Sequence, residues 1–416
     1  MDVRKAVLGA CALLFAASGA AHAGKPVNVA KRVGIAESTR TFSVAPVDFD
    51  SDRRDDFFLV RHDPDDLGAH IPLSTLYRNV ERGFANYGTP MFGRTDKHGC
   101  AWGDANVDGR PDMYCAIGLT QKSINELWIQ KRDGSFENQA VERGLAFQRR
   151  GRGRYATFIR ANNDSWPDIY LARYTGSCFC DRNEDGVIDY DGDSFPNELW
   201  INEQGHFRKA PEYHLNVPIG AKKDNATCAQ AVDFDKDGDQ DLLVCAATSL
   251  RLYRNNNGQG FTDVTNAMDL DGNVVDARFV DLDDDGDHDF VRLNQRGLYV
   301  RYARGAGNLG QPQLIGEPPA PMAIATGSFN RGGTKDIYVV STWITRRNKV
   351  DQPDRVFLNR GDRVFEPVLI PGASHGGGDD VGVVDYNRDG QDEFVVTNGH
   401  KKRAGPVQLW KWASWL

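Results

Sequence analysis

An all-β fold is predicted by three features of the sequence: its acidic residues are mostly aspartate, it is rich in glycine and proline, and one short acidic loop recurs between apolar segments. Of the 58 acidic residues, 46 are Asp and 12 are Glu. Glutamate suits helix interiors, whereas aspartate competes for backbone hydrogen bonds and collects in turns, caps and metal loops, which argues against a helix-rich protein. With 43 Gly and 18 Pro in 416 residues, the chain reads as strands and loops. Its 40% hydrophobic content supports a folded core and excludes an acidic disordered chain.

From the N-terminus, Arg4 and Lys5 precede an apolar run from Ala6 to Ala17, and Ala21-His22-Ala23 offers small residues for cleavage. Residues 1–23 therefore read as a secretory signal peptide, leaving one domain over 24–416. No later apolar run approaches the roughly 18 residues that span a bilayer. The expected location is periplasmic or extracellular. In that oxidising setting Cys100, Cys115, Cys178, Cys180, Cys228 and Cys245 are disulfide candidates.

The acidic loop has the frame D-x-[DN]-x-[DN]-G-x-x-[DE]. Strong copies place ligand-type residues at Asp48, Asp50, Asp52 and Asp56; at Asp104, Asn106, Asp108 and Asp112; at Asp233, Asp235, Asp237 and Asp241; at Asp281, Asp283, Asp285 and Asp289; and at Asp385, Asn387, Asp389 and Glu393. Two weaker copies share the frame, one with Arg160, Asn162, Asp164 and Asp168, the other with Ser328, Asn330, Gly332 and Asp336. The ninth positions fall at 56, 112, 168, 241, 289, 336 and 393, so the mean repeat is about 56 residues.

Each loop lies between apolar strands. One leads in (Ala229 to Asp233, Ala277 to Asp281), a second leads out (Leu242-Leu-Val-Cys-Ala), a third follows (Leu76-Tyr-Arg-Asn79, Leu252-Tyr-Arg-Asn255), and a Gly/Asn turn starts a fourth (Gly260-Phe-Thr-Asp-Val-Thr). Seven such four-stranded units predict a seven-bladed β-propeller. The seventh repeat supplies three strands, ending in Val407 to Trp412, while Val27 to Ile35 resembles a fourth strand. The N-terminal strand is thus expected to complete the last blade and cover its edge.

The same frame sets the disulfide register. Relative to the first loop residue, Cys100 and Cys115 lie at −4 and +11, and Cys228 and Cys245 at −5 and +12. Both pairs sum to +7, so each pair is expected directly across a hairpin, on opposite faces of the respective blades. For Cys178 and Cys180, a local disulfide and free thiols both remain open.

Carboxylates at positions 1, 3, 5 and 9, a carbonyl at 7 and a turn-permitting glycine at 6 make a hard-oxygen shell, which suits calcium better than zinc. The two weaker loops are expected to bind metal poorly, with the Arg160 guanidinium replacing the cation's charge. An insertion at about 174–196 carries a further candidate loop, Asp181, Asn183, Asp185 and Asp189. The expected cofactor is calcium, about five to six ions.

These loops, with the Leu-Tyr-Arg-Asn strands and the Gly-Phe-Thr-Asp-Val-Thr turn, resemble the FG-GAP/VCBS repeat family, whose fold is shared by the propeller of integrin alpha chains. They are also similar to the propeller part of ASPIC/UnbV-type proteins. The resemblance implies fold and calcium more than function, because such propellers serve in adhesion, as lectins and beside enzymes.

Other motifs carry less. Gly372-Ala-Ser374-His375-Gly376 matches G-x-S-x-G, but it links two blades instead of joining a strand to a helix. Arg360-Gly361-Asp362 occupies a position expected for a hairpin turn. On the face opposite the acidic loops the frame places Arg152, Arg154, Trp343, Arg346, Arg347, Lys349, Lys401 and Lys402. Such a basic face can steer an anionic ligand, though solvated loops without a partner are an equal alternative. No convincing acid, base and nucleophile set emerges. The reading is a monomeric, exported ligand-binding or adhesion module for a glycan or protein, with no nucleic-acid partner; the alternatives are a carbohydrate-active enzyme such as a polysaccharide lyase and a non-catalytic assembly factor.

Overall fold

The computed structural model describes residues 24–61, 73–93, 95–118, 124–145, 153–173, 197–215, 226–246, 248–330, 332–342, 352–372, 377–399 and 404–414. Seven four-stranded antiparallel sheets form a seven-bladed propeller. Blade 1 runs Thr41–Val47, Asp56–Arg61, Thr75–Asn79 and Phe84–Tyr87 from the inside outward. Blade 4 repeats the plan as Ala226–Val232, Asp241–Ala246, Ser249–Asn255 and Phe261–Asp263. The second strand is completely buried in every blade but the fifth, because blades pack on both of its faces and its side chains alternate between two interblade cores. This explains why Asp56–Arg61 and Asp336–Ser341 read as near-continuous apolar runs.

Blade 7 is assembled from both ends of the chain. Its strands are Asp380–Val384, Glu393–Thr397, Gln408–Ser414 and, outermost, Gly24–Asn28, paired from Gly24 with Ser414 to Asn28 with Trp410. The segment after Asn28 turns immediately and buries Val29, Val33 and Ile35 in the core between blades 7 and 1. The expected closure is therefore the observed one. A short pairing of Ser38–Thr39 with Gly405–Pro406 ties the termini again. It went unforeseen, since two-residue strands leave no periodic signal. The fourth strands are shorter than the sequence suggests: Phe136–Asn138 ends after three residues, and Ala140 to Gly144 form a turn.

The innermost strands line the axis, where Ser43, Tyr155, Arg278, Thr326 and Asp380 border a cavity of about 360 Å³. Two disulfides, Cys100–Cys115 and Cys228–Cys245, bridge directly paired residues of the first two strands in blades 2 and 4. The first faces the core shared with blade 1 and the second the core shared with blade 5, so the bonds lie on opposite blade faces, as the offsets require.

Candidate metal centre

Each acidic loop joins the innermost strand of a blade to its second strand, which gathers seven loops on one face of the propeller. The loop conformation is built at two positions. Position 6 takes a left-handed backbone at Gly109, Gly238, Gly286, Gly333 and Gly390, the role expected of glycine. Blade 1 uses Arg53 there, at φ 65°. Position 4 is also left-handed, in Ser51, Val107, Asn163, Lys236, Asp284 and Arg388. No glycine marks it, so this feature is invisible to composition.

Position 2 points inward. Phe49, Ala105, Ala161, Phe234, Leu282, Phe329 and Tyr386 are all buried between blades. Its backbone N–H donates to the ninth-position carboxylate of the same loop, at 3.2 Å for Phe49 to Asp56 Oδ2 and 2.9 Å for Ala105 to Asp112 Oδ2. The other oxygen of that carboxylate accepts an N–H from the end of the third strand, at 2.7 Å from Asn79 to Asp56 and 2.8 Å from Asn202 to Asp168. This clamp recurs in blades 1 to 6, including the two loops with weak ligand sets. The ninth carboxylate is therefore a structural fastener as well as a candidate ligand. Burial pushes its pKa up to about 7 in Asp56, Asp112, Asp168, Asp241 and Asp336, outweighing the N–H bonds that favour its charged form.

The third-strand terminal amide fastens one blade to the next. Asn79 Nδ2 donates to Tyr386 O (2.8 Å), Gln130 Nε2 to Phe49 O (3.0 Å), Asn202 Nδ2 to Ala105 O (2.9 Å) and Asn359 Nδ2 to Leu282 O (2.9 Å). In each case the acceptor is position 2 of the preceding loop. In the sequence this link shows only as the recurring final Asn of Leu-Tyr-Arg-Asn. Position 8 adds further links: Asp55 accepts the Asp385 N–H at 2.7 Å, Gln240 the Arg160 N–H at 2.8 Å and Asp392 the Ser328 N–H at 2.6 Å.

Against this common frame the ligand positions differ. In blades 1, 4 and 5 three carboxylates converge, with oxygens mutually within 4.8 Å: Asp48, Asp50 and Asp56; Asp233, Asp235 and Asp241; Asp281, Asp283 and Asp285. In blade 1 both oxygens of Asp48 accept backbone N–H groups, from Asp52 and Arg53; in blades 4 and 5 position 1 uses one oxygen to cap the turn, as Asp233 Oδ2 does for Gly238 N–H and Asp281 Oδ2 for Gly286 N–H. Its other oxygen and one from position 3 are buried and unpartnered: Asp233 Oδ1, Asp235 Oδ1, Asp281 Oδ1 and Asp283 Oδ1, along with Asp50 Oδ1 in blade 1. Buried bare carboxylate oxygens are costly unless a cation meets them. Repulsion within the group adds to burial in raising the pKa of Asp235 and Asp283. These donor sets fit a hard divalent cation.

The other loops are arranged differently. In blade 2, Asp104 accepts the N–H groups of Asp108 and Gly109, and Asp108 pairs with Arg110. In blade 6, Asn330 donates Nδ2 to Asp336 Oδ2 at 2.9 Å and accepts the Gly332 N–H, closing the loop on itself. In blade 3 Arg160 is exposed, and it is its backbone N–H that is fixed; the expected insertion of its guanidinium among the loop's carboxylates is absent among the described contacts.

Arg154 ends on the innermost strand of blade 3, with its guanidinium 4.7 Å from the Phe42 ring, at the axis and not on an outer loop. The remaining basic-face residues Arg152, Trp343, Arg346, Arg347, Lys349, Lys401 and Lys402 lie outside the described residues, as do Asp181, Asn183, Asp185, Asp189, Cys178, Cys180, Ser374, His375 and residues 1–23. Arg360-Gly361-Asp362 forms the expected hairpin turn: Arg360 N–H donates to Val364 O, and its guanidinium pairs with Glu366 at 2.6 Å. Among the described residues no helix is long and apolar enough to cross a membrane.

No curated protein matches the sequence. Among solved structures, similarity extends to an Agrocybe aegerita lectin that recognises non-reducing terminal N-acetylglucosamine (14% identity, 83% of this chain and 80% of that one, TM-score 0.46). It extends also to the Dos1 propeller (12%, 93% and 94%, 0.47) and to BBS1N in complex with ARL6DN (10%, 90% and 93%, 0.47). Residues 233–292, from the first ligand position of blade 4 into the second strand of blade 5, match the family model of the FG-GAP-like repeat, so this seven-bladed propeller contains that repeat across two of the three loops whose carboxylates converge.

Proposed function

We propose that this chain is an exported, calcium-stabilised propeller that binds a glycan or protein partner through the loop face opposite its acidic loops. The observation that carries the calcium reading is the set of buried, unpartnered oxygens of Asp50, Asp233, Asp235, Asp281 and Asp283, converging in groups of three carboxylates. In the loops of blades 1, 4 and 5, positions 1, 3, 5 and 9 would hold the ion, with position 9 using lone pairs left over from its backbone clamp. Bound calcium would neutralise the clustered charge and hold the innermost and second strands of a blade together. Two disulfides suit export to an oxidising compartment, and the basic composition of the opposite loops favours an anionic partner.

Calcium binding only to the folded chain stabilises it by mass action, by about 2.7 kcal/mol per site at a hundredfold excess over Kd. Melting in excess calcium against chelator, with native mass spectrometry to count ions, tests this directly. An unchanged Tm and no bound calcium would overturn the metal assignment. Glycan-array binding of the wild type and of a variant with Arg346, Arg347 and Lys349 changed to Ala tests the ligand face; the variant is expected to lose binding, and retention would move the site elsewhere.

A further inference from the structure

We propose that blade 7 is closed by its own lysine in place of calcium: the Lys411 ammonium occupies the acidic loop of Asp385, Asn387, Asp389 and Glu393 as a built-in cation. Lys411 Nζ lies 2.7 Å from Asp389 Oδ2 and 3.0 Å from Glu393 Oε1, so it bridges positions 5 and 9 of the loop. It also sits 5.6 Å from the ring of Tyr386 at position 2. Glu393 is fully buried and the Lys411 side chain only 18% exposed, so the ammonium is held within the loop and is not a passing surface partner.

The loop chemistry agrees. Among the described residues, the acidic groups of blade 7 do not converge as those of blades 1, 4 and 5 do. Position 1 is fully used, Asp385 Oδ1 accepting the Asp389 N–H and Oδ2 the Gly390 N–H. No bare buried carboxylate oxygen remains there. Position 9 is Glu only in this blade, and the extra methylene brings Oε1 to the lysine, while Oε2 keeps the usual bond from position 2 at 3.2 Å from Tyr386 N–H.

Lys411 stands on the third strand, at the place occupied by Arg78 in blade 1 and Arg254 in blade 4 and by Ile129, Ile201, Tyr302 and Leu358 in the others. A basic residue there does not by itself fill the loop. Arg254 is exposed, and Arg78, 42% exposed, pairs with Asp50 at 2.6 Å and with Asp52 at 3.9 Å while Asp48, Asp50 and Asp56 stay converged. Lys411 differs in pairing with the fully buried ninth-position carboxylate, Glu393, which Arg78 does not reach among the described ion pairs.

The consequence concerns closure. Lys411 pairs with Val27 of the N-terminal strand, so the blade assembled from the two chain ends carries its cation in covalent form. The ring can then close without calcium while blades 4 and 5 still respond to it. This rests on the calcium reading of those other loops, and the test separates the two. Calcium is counted by native mass spectrometry on the full chain, and melting is followed in chelator and in calcium. Lys411→Met should bind one more calcium than wild type, melt several degrees lower in chelator, and recover that loss in calcium. Asp389→Asn should leave the wild-type count unchanged, whereas Asp237→Asn in blade 4 should lower it by one. No added ion in folded K411M, or an ion lost in D389N, overturns the proposal. If K411M fails to fold, the D389N count decides alone. If D237N changes nothing while K411M gains an ion, the calcium reading of blade 4 fails and the lysine inference stands.

Discussion

The glycine at loop position 6 and the amide at the end of the third strand are single residues whose worth can be stated separately. Gly238 adopts φ +96°, and a Cβ built on it meets nothing within 4 Å. Gly238→Ala therefore isolates backbone strain from steric clash and is expected to cost about 1 kcal/mol, read as a lowered denaturation midpoint with an unchanged m-value. Asn202 is the opposite kind of site, with no exposed surface and both ends of its amide hydrogen-bonded. Its Nδ2 serves Ala105 O and Pro167 O, and its Oδ1 accepts the Gly205 N–H at 2.7 Å. Asn202→Ala leaves buried carbonyls and an N–H unmet, which predicts a loss of roughly 1–3 kcal/mol by urea unfolding. Both roles were partly legible: the glycine from the loop frame itself, the asparagine only as a recurring letter, because its partner lies 97 residues away in another blade.

At the scale of the loop, the ninth carboxylate couples fold to pH. Its ordinary value near 3.8 rises to about 7 in five blades, and to about 6 in Asp289, because burial disfavours the charge. Without a cation the native state therefore holds protons that the unfolded chain has already released. Those carboxylates contribute stability that is present below about pH 4 and is lost as pH rises through about 7. A bound cation reverses the preference by favouring the ionised form. The expected outcome is that Tm in chelator falls between pH 5 and pH 8, and that the calcium-induced rise in Tm grows over the same interval. A calcium effect equal at both pH values would separate the ninth position from the metal. The loop frame revealed candidate ligands but not their inequality. Asp104, Asp233 and Asp385 are the same letter in the same frame, yet only Asp233 keeps a bare buried oxygen.

For the whole molecule, closure is the decisive event. Removing residues 24–36 strips the outer strand from Gln408–Ser414 and takes Val29, Val33 and Ile35 out of the core between blades 7 and 1. Burial of three such side chains is worth on the order of 5 kcal/mol, before counting the exposed strand edge. The truncated chain should melt far below the full one and associate at its open blade, measurable by calorimetry and light scattering. A truncation melting like the full chain would place the stability elsewhere.

The sequence by itself determined what repeats. Strand class, blade count, the closing role of the N-terminus and the two cross-strand disulfides all follow from a frame copied seven times, because local propensity, loop chemistry and hairpin register depend on neighbours in the chain. Tertiary structure alone decided how equivalent copies diverge. Whether a loop's carboxylates converge, accept backbone N–H groups or surround Lys411 depends on side chains from a third strand or an adjacent blade, and those distances are set by packing around the ring and not by position in the repeat.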